Sequence, residues 1–188
     1  MRRGTRAVRY IGVVLLVSAA SPICAVAQGE VALGVLVVPE PSVGGTQVGP
    51  ALAAMVFRDV LGVPLFLEVG FARTDFNSLG QDYHHNHYSF ALNTEWLPAR
   101  SGSTRFGFRL GLGAYGEYEI VETDPASSGG DSWTEAVVPG LILERDIGED
   151  RRLVVALTDS VLGPYFAVFD PEEYDVEHRI RLTLGMRF

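Results

Sequence analysis

The last thirteen residues, Val176 to Phe188, constrain this chain more than any other stretch. Val176, Ile180, Leu182, Leu184, Met186 and Phe188 share one parity, interrupted only by His178. Glu177, Arg179, Arg181, Thr183, Gly185 and Arg187 share the other. Successive side chains of a strand point to opposite faces, so this segment is a strand with one apolar face and one polar, charged face. It runs to the end of the chain and stops on an aromatic residue.

The beginning of the chain sets its compartment. Arg2, Arg3, Arg6 and Arg9 precede the apolar run Ile11 to Val17, and Ala25-Val26-Ala27 has the A-x-A form of a signal-peptidase site. The run is shorter than the roughly 20 residues with which a helix crosses a bilayer, so residues 1–27 read as a cleaved secretory signal peptide. The single cysteine, Cys24, falls inside it, which leaves residues 28–188 without thiol or disulfide chemistry. Removing four of the 15 basic residues leaves eleven arginines against 23 acids, a net charge of −12, and there is no lysine. Such an acidic chain does not suit nucleic acid, whose phosphates require cationic contacts. No second segment is long and apolar enough for a transmembrane helix. An exported chain of this kind crosses a membrane only as a closed barrel, in which every backbone polar group finds an inter-strand partner.

Alternation and turn residues divide the remainder into seven further strands. They are expected at about 30–38, 47–57, 63–74, 87–97, 105–119, 133–144 and 152–162. The third sets Leu65, Leu67, Val69 and Phe71 against Glu68, Gly70, Ala72 and Thr74. The fifth sets Phe106, Phe108, Leu110 and Leu112 against Gly107, Arg109, Gly111 and Gly113. Pro50 weakens the second, and the sixth is apolar on both parities from Val137 to Leu143, with Pro139-Gly140 suggesting a bulge that shifts the pattern. Asp75 to Asn86 reads as a polar loop and Pro98 to Thr104 as a turn. Eight strands form an even, antiparallel set. The connections after the second, fourth and sixth are expected to be shorter than those after the third, fifth and seventh, as periplasmic turns are shorter than extracellular loops.

Period alone does not say which face points outward, because a soluble ligand-binding barrel has the same alternation with its apolar face inside. Composition separates the two. The polar face is mostly Gly, Ala, Ser and Thr with a few charges, which suits a narrow packed interior and not a solvated exterior. The aromatics group at two levels: Trp96, Phe106 and Phe188 near one set of strand ends, and Phe71, Tyr88, Tyr118 and Trp133 near the other. Two aromatic girdles flanking an apolar band are expected of a barrel that faces lipid. The reading is all-β: an eight-stranded antiparallel up-and-down transmembrane barrel over residues 28–188.

The Gly-rich alternation Phe106-Gly107-Phe108-Arg109-Leu110-Gly111-Leu112-Gly113 and the terminal Phe188 resemble the eight-stranded outer-membrane barrels of the OmpA transmembrane-domain and opacity-protein family. Within that resemblance, Leu182, Leu184, Met186 and Phe188 match the C-terminal signal read by the barrel-assembly machinery. The resemblance implies a bacterial outer-membrane location, contact with outer-membrane lipid and lipopolysaccharide, and no cofactor. Members of the family serve as adhesins, membrane-stabilising proteins, minor pores or enzymes, so the fold leaves the role open. Surface loops that bind a partner are compatible with it.

Three constellations carry possible chemistry. Asp82, His84, His85 and His87 are divalent-metal ligand types at close spacing, but on a loop without a strict ligand repeat a solvated polar tip is the plainer reading. His87-Tyr88-Ser89 resembles part of the lipid A deacylase barrels, in which a His activates a Ser. Here both fall on the inward parity and the flanking residues do not match, so two interior polar residues are the plainer reading. Glu68, Glu95, Arg109, Glu117, Arg179 and Arg181 all lie on the polar parity. The interior of an eight-stranded barrel is just wide enough for side chains to fill, and enclosed charges must pair. These six therefore predict a salt-bridged plug, with Glu95 diagonal to Arg109 near the periplasmic end and Glu68 meeting Arg181 across the interior. The expected role is structural or surface-interacting and not enzymatic; a lipid-modifying enzyme or a small diffusion pore is the alternative.

Overall fold

A computed structural model describes residues 29–40, 45–60, 63–78, 81–121, 132–163 and 176–188. The segment read as a signal peptide lies outside them, as do residues 122–131 and 164–175. Eight strands follow in order: β1 (Gly29–Glu40), β2 (Gly45–Val60), β3 (Val63–Ser78), β4 (Gln81–Ser101), β5 (Thr104–Val121), β6 (Ser132–Asp146), β7 (Arg152–Leu162) and β8 (Glu177–Arg187). Each pairs antiparallel with its neighbour in sequence, and β8 pairs with β1 to close the barrel. The seam runs from Glu30 opposite Arg187 to Val37 opposite Ile180, and Gly29 and Phe188 exchange two backbone hydrogen bonds of 2.8 and 2.9 Å at its foot. Closure leaves no open edge, the condition for burying a sheet in lipid.

The barrel is apolar outside and charged inside. Leu33, Leu112 and Trp96 are 66 to 67% exposed, whereas Glu68 and Arg109 are only 1 and 2% exposed and Glu144 is fully enclosed. A continuous belt of exposed Val, Leu and Phe side chains would be a severe liability in water and is the required surface in a bilayer. The interior also holds apolar residues on the inward parity. Leu36 and Val38 pack with Ala51 and Ala72, and Ile142, Val154 and Ala156 pack with Leu97. Phe66 and Met55 are likewise buried.

Several local expectations are corrected. Asp75 to Asn86 is not a loop: β3 and β4 stay paired to Asn77 opposite Asp82 and Ser78 opposite Gln81, so only residues 79–80 separate them. β4 has 21 residues, about twice the 9–11 that cross a bilayer. Its outer part stands beyond the apolar belt, where neither face needs to be apolar and period two fades. The connection after β3 is therefore short, unlike the stretches that follow β5 and β7.

The bulge is not at Pro139-Gly140. Val137 opposite Val161 and Gly140 opposite Thr158 keep one register, with the ladder interrupted where Pro139 has no N–H to give. The irregularity lies in β4 between Trp96 and Ala99, around Leu97 and Pro98. The turn that follows is also tighter than Pro98 to Thr104, since Ser101 already pairs with Thr104. Gly102 takes φ 59°, the left-handed geometry that a two-residue hairpin turn demands. Together these changes set Glu95 directly opposite Arg109, not diagonal to it. Pro50 sits inside β2, exposed, where β2 pairs with β1 but its pairing with β3 has ended at Ala51.

Candidate functional site

The chemistry of the molecule is concentrated in its lumen, in two groups of ions at different heights. The lower group centres on Arg187 of β8. Its guanidinium donates to Glu30 of β1 at 2.6 Å, to Glu95 of β4 at 2.9 Å and to Glu144 of β6, while lying 4.7 Å from the centre of the Phe66 ring. Arg109 of β5 donates through Nε to Glu95 at 2.9 Å and lies 3.6 Å from Glu30 and 3.7 Å from Glu68. Glu68 of β3 is held by Arg181 of β8 and by the Asn93 amide at 2.9 Å. Arg105 closes the lower rim, 2.8 Å from Asp146 and 3.4 Å from Glu144. Taking an ion out of water costs several kcal/mol, so an enclosed charge persists only among such partners. The parity that turns Leu, Val and Phe to the outside turns these residues to the inside.

The upper group is a chain of hydrogen bonds across five strands. Thr74 Oγ1 of β3 donates to Gln47 of β2 at 2.6 Å and lies 2.9 Å from His87 Nε2 of β4. His87 Nδ1 is 3.2 Å from Glu117 of β5, which accepts from Arg179 Nε of β8 at 2.7 Å. Arg179 reaches Glu177 at 2.7 Å with its other end. A carboxylate, an imidazole and a hydroxyl in line can activate a nucleophile. In this barrel the hydroxyl is that of Thr74, which is fully enclosed and already bonded to Gln47.

The six charges singled out in the sequence thus fall into both groups. Glu68, Glu95, Arg109 and Arg181 belong to the lower, and Glu117 and Arg179 to the upper. Sequence reasoning missed Glu30, Glu144 and Arg187, which complete the lower group. Arg187 had a visible signal, since it shares the parity of Arg179 and Arg181. His87 commits its two ring nitrogens to Thr74 and Glu117, and Ser89 lies instead beside Gly70. His84 bonds Asp75 at 2.7 Å, His85 lies 3.1 Å from Glu119, and the side chain of Asp82 is outside the described residues. Among the described residues no three ligating side chains converge on a metal position.

The girdle residues lie on the outward parity. Trp96, Phe106, Trp133, Phe71, Tyr88 and Phe188 are exposed and Tyr118 is partly so. Phe71 and Tyr88 pair across β3 and β4 with ring centres 5.5 Å apart, and Trp96 stacks on Phe108 at 6.3 Å. Asp159 and His178 also point outward, bonded to each other at 2.7 Å, so each has a partner on the wall that carries the apolar belt.

Gly70 makes room for the lower group. A Cβ there would run into Arg181 Nη1 and Ser89 Oγ. Gly70→Val should therefore displace Arg181 from Glu68 and cost about 1–3 kcal/mol through overpacking alone. Urea unfolding in detergent, followed by tryptophan fluorescence, measures the loss.

No protein-family model matches the sequence, and no curated protein matches it. Among solved structures, the chain is similar to Neisserial surface protein A, with a TM-score of 0.55 at 10% identity over 86% of this chain and 95% of that one. It is also similar to Ail, the attachment invasion locus protein of Yersinia pestis, with a TM-score of 0.47 at 15% identity over 86% of this chain and 98% of that one. At such identities the likeness is one of fold: an eight-stranded barrel of the outer-membrane type.

Proposed function

We propose that the chain is a bacterial outer-membrane barrel whose lumen is closed by ion pairs, and whose role is structural or at the cell surface, without enzymatic activity. The observation that carries this reading is the lower ion group, in which Arg187 and Arg109 engage carboxylates from four strands across the lumen. A lumen tied across in this way has no continuous water path. In planar bilayers the purified protein should give only rare, small conductance steps. Steady conductance on the nanosiemens scale would overturn the reading.

The location follows from three features acting together. Residues 1–27 have the form of an export signal, the exterior is an apolar belt between aromatic girdles, and the last strand ends on exposed Phe188. The neighbours of such a surface are outer-membrane lipid and lipopolysaccharide, and the last strand is the segment offered to the barrel-assembly machinery. Deleting Phe188, or replacing it by Asp, should sharply lower the yield of heat-modifiable protein in outer-membrane fractions while leaving export across the inner membrane intact. An unchanged yield of both variants would remove the assembly role from this residue.

The surface role belongs to the long connections. Residues 122–131 and 164–175 contain Glu122, Asp124, Asp131, Asp170, Glu172, Glu173 and Asp175 and no basic residue. A partner that binds them presents cationic groups.

A further inference from the structure

We propose that the space between the two ion groups is a binding site for one small monovalent anion of halide size. The chamber is bounded by Leu36 and Gly70 on the β1–β3 side and by six polar side chains: His87, Ser89, Tyr115, Ser160, Arg179 and Arg181. It measures about 270 Å³ including the space open to it, with room at its centre for a body of about a water molecule's size. No carboxylate lines it. The acids that neutralise the two guanidinia approach from elsewhere, Glu68 on Arg181 from the lower group and Glu117 on Arg179 from the upper.

Two buried groups have capacity left over. Arg181 Nε makes no hydrogen bond, and the Tyr115 hydroxyl makes none of ordinary geometry, although the Arg179 guanidinium lies 6.0 Å from the centre of its ring. Arg181 is 9% exposed and Tyr115 5%. A buried donor without an acceptor costs free energy, so both groups call for an acceptor between them. Guanidinium groups only donate, and the hydroxyls of Ser89, Ser160 and Tyr115 rotate to donate where an acceptor is offered. A water molecule accepts from only two of these donors, and its own two hydrogens turn hydroxyls of the lining from donors into acceptors. A monatomic anion accepts from every side. Because each guanidinium is already paired on its far face, binding is of modest strength and is set by the convergence of donors.

The test uses the full barrel folded in detergent, with bromide as the probe. Crystals soaked in sodium bromide should show one anomalous peak in contact with Arg181 Nε and the Tyr115 hydroxyl. In solution, bromide line broadening in NMR should saturate and be reversed by chloride. Tyr115→Phe combined with Ser160→Ala removes two donors without changing charge and should weaken bromide binding about tenfold, as expected for the loss of roughly 1.4 kcal/mol. Heat-modifiable migration of that variant on gels verifies that it folds. A water without anomalous signal in the chamber, binding at crystal concentration only, or equal bromide affinity in the double variant would each overturn the proposal.

Discussion

Replacing Arg187 by Ala should cost the folded barrel about 3–5 kcal/mol, the penalty for leaving buried carboxylates without their cation. Glu30, Glu95 and Glu144 converge on this one guanidinium from β1, β4 and β6, and each is almost wholly enclosed. Arg109 and Arg105 remain nearby but are already engaged with Glu95 and Asp146. Arg187→Lys should fall between the two, because a single ammonium cannot reproduce the planar fork that faces three acids at once. Unfolding in urea from lipid vesicles, starting from protein refolded in vitro, separates this loss from any effect on assembly. Full stability in Arg187→Ala would mean that the lower ion group contributes little.

The second large effect concerns Glu68 and Arg181. Either residue replaced by Ala should destabilise the barrel by about 3 kcal/mol, since the survivor is left enclosed without its main partner. Arg109 at 3.7 Å and Asn93 at 2.9 Å soften the loss when Arg181 is the residue removed, so Glu68→Ala should be the worse of the two. The double variant should cost clearly less than the sum of the singles, with a coupling of about 1–3 kcal/mol between residues in direct contact. Strict additivity would show that the two charges do not interact in the folded protein.

How much of this was legible in the sequence depended on where a strand lies relative to the apolar belt. β7 was readable to the residue, and β3, β5 and β8 to within a few, because one face must be apolar there and a period of two results. β6 was placed to within two residues, but its faces were not readable, since Val138 and Ile142 fill the interior while Val137, Leu141 and Leu143 lie on the outward parity, so both parities are apolar. The outer half of the β3–β4 hairpin read as a loop for the opposite reason: above the belt both faces are polar. The Glu95–Arg109 pairing was expected as a diagonal and is a direct opposition, owing to a bulge at Leu97-Pro98 that no local pattern announced. Glu30, Glu144 and Arg187 sit close to strand termini, where charge ordinarily means solvent. Strand tilt and the β1–β8 seam draw those termini together, and that is a property of the closed ring and not of any single strand.

The distribution of charge along the chain has a kinetic meaning. Of the four buried arginines among the described residues, Arg179, Arg181 and Arg187 all ride on β8, the last strand to be made. The carboxylates they neutralise come from β1, β3, β4, β5 and β6. A sheet of the first seven strands would therefore curl around an excess of negative charge, and like charges brought together in a poorly hydrated space repel. Premature closure of β7 onto β1 is opposed by that repulsion. Arrival of β8 removes most of that excess in one step, with guanidinium groups that stay charged at any physiological pH. The acids that disfavour closure of the seven-stranded sheet are the same ones that hold β8 in the finished barrel.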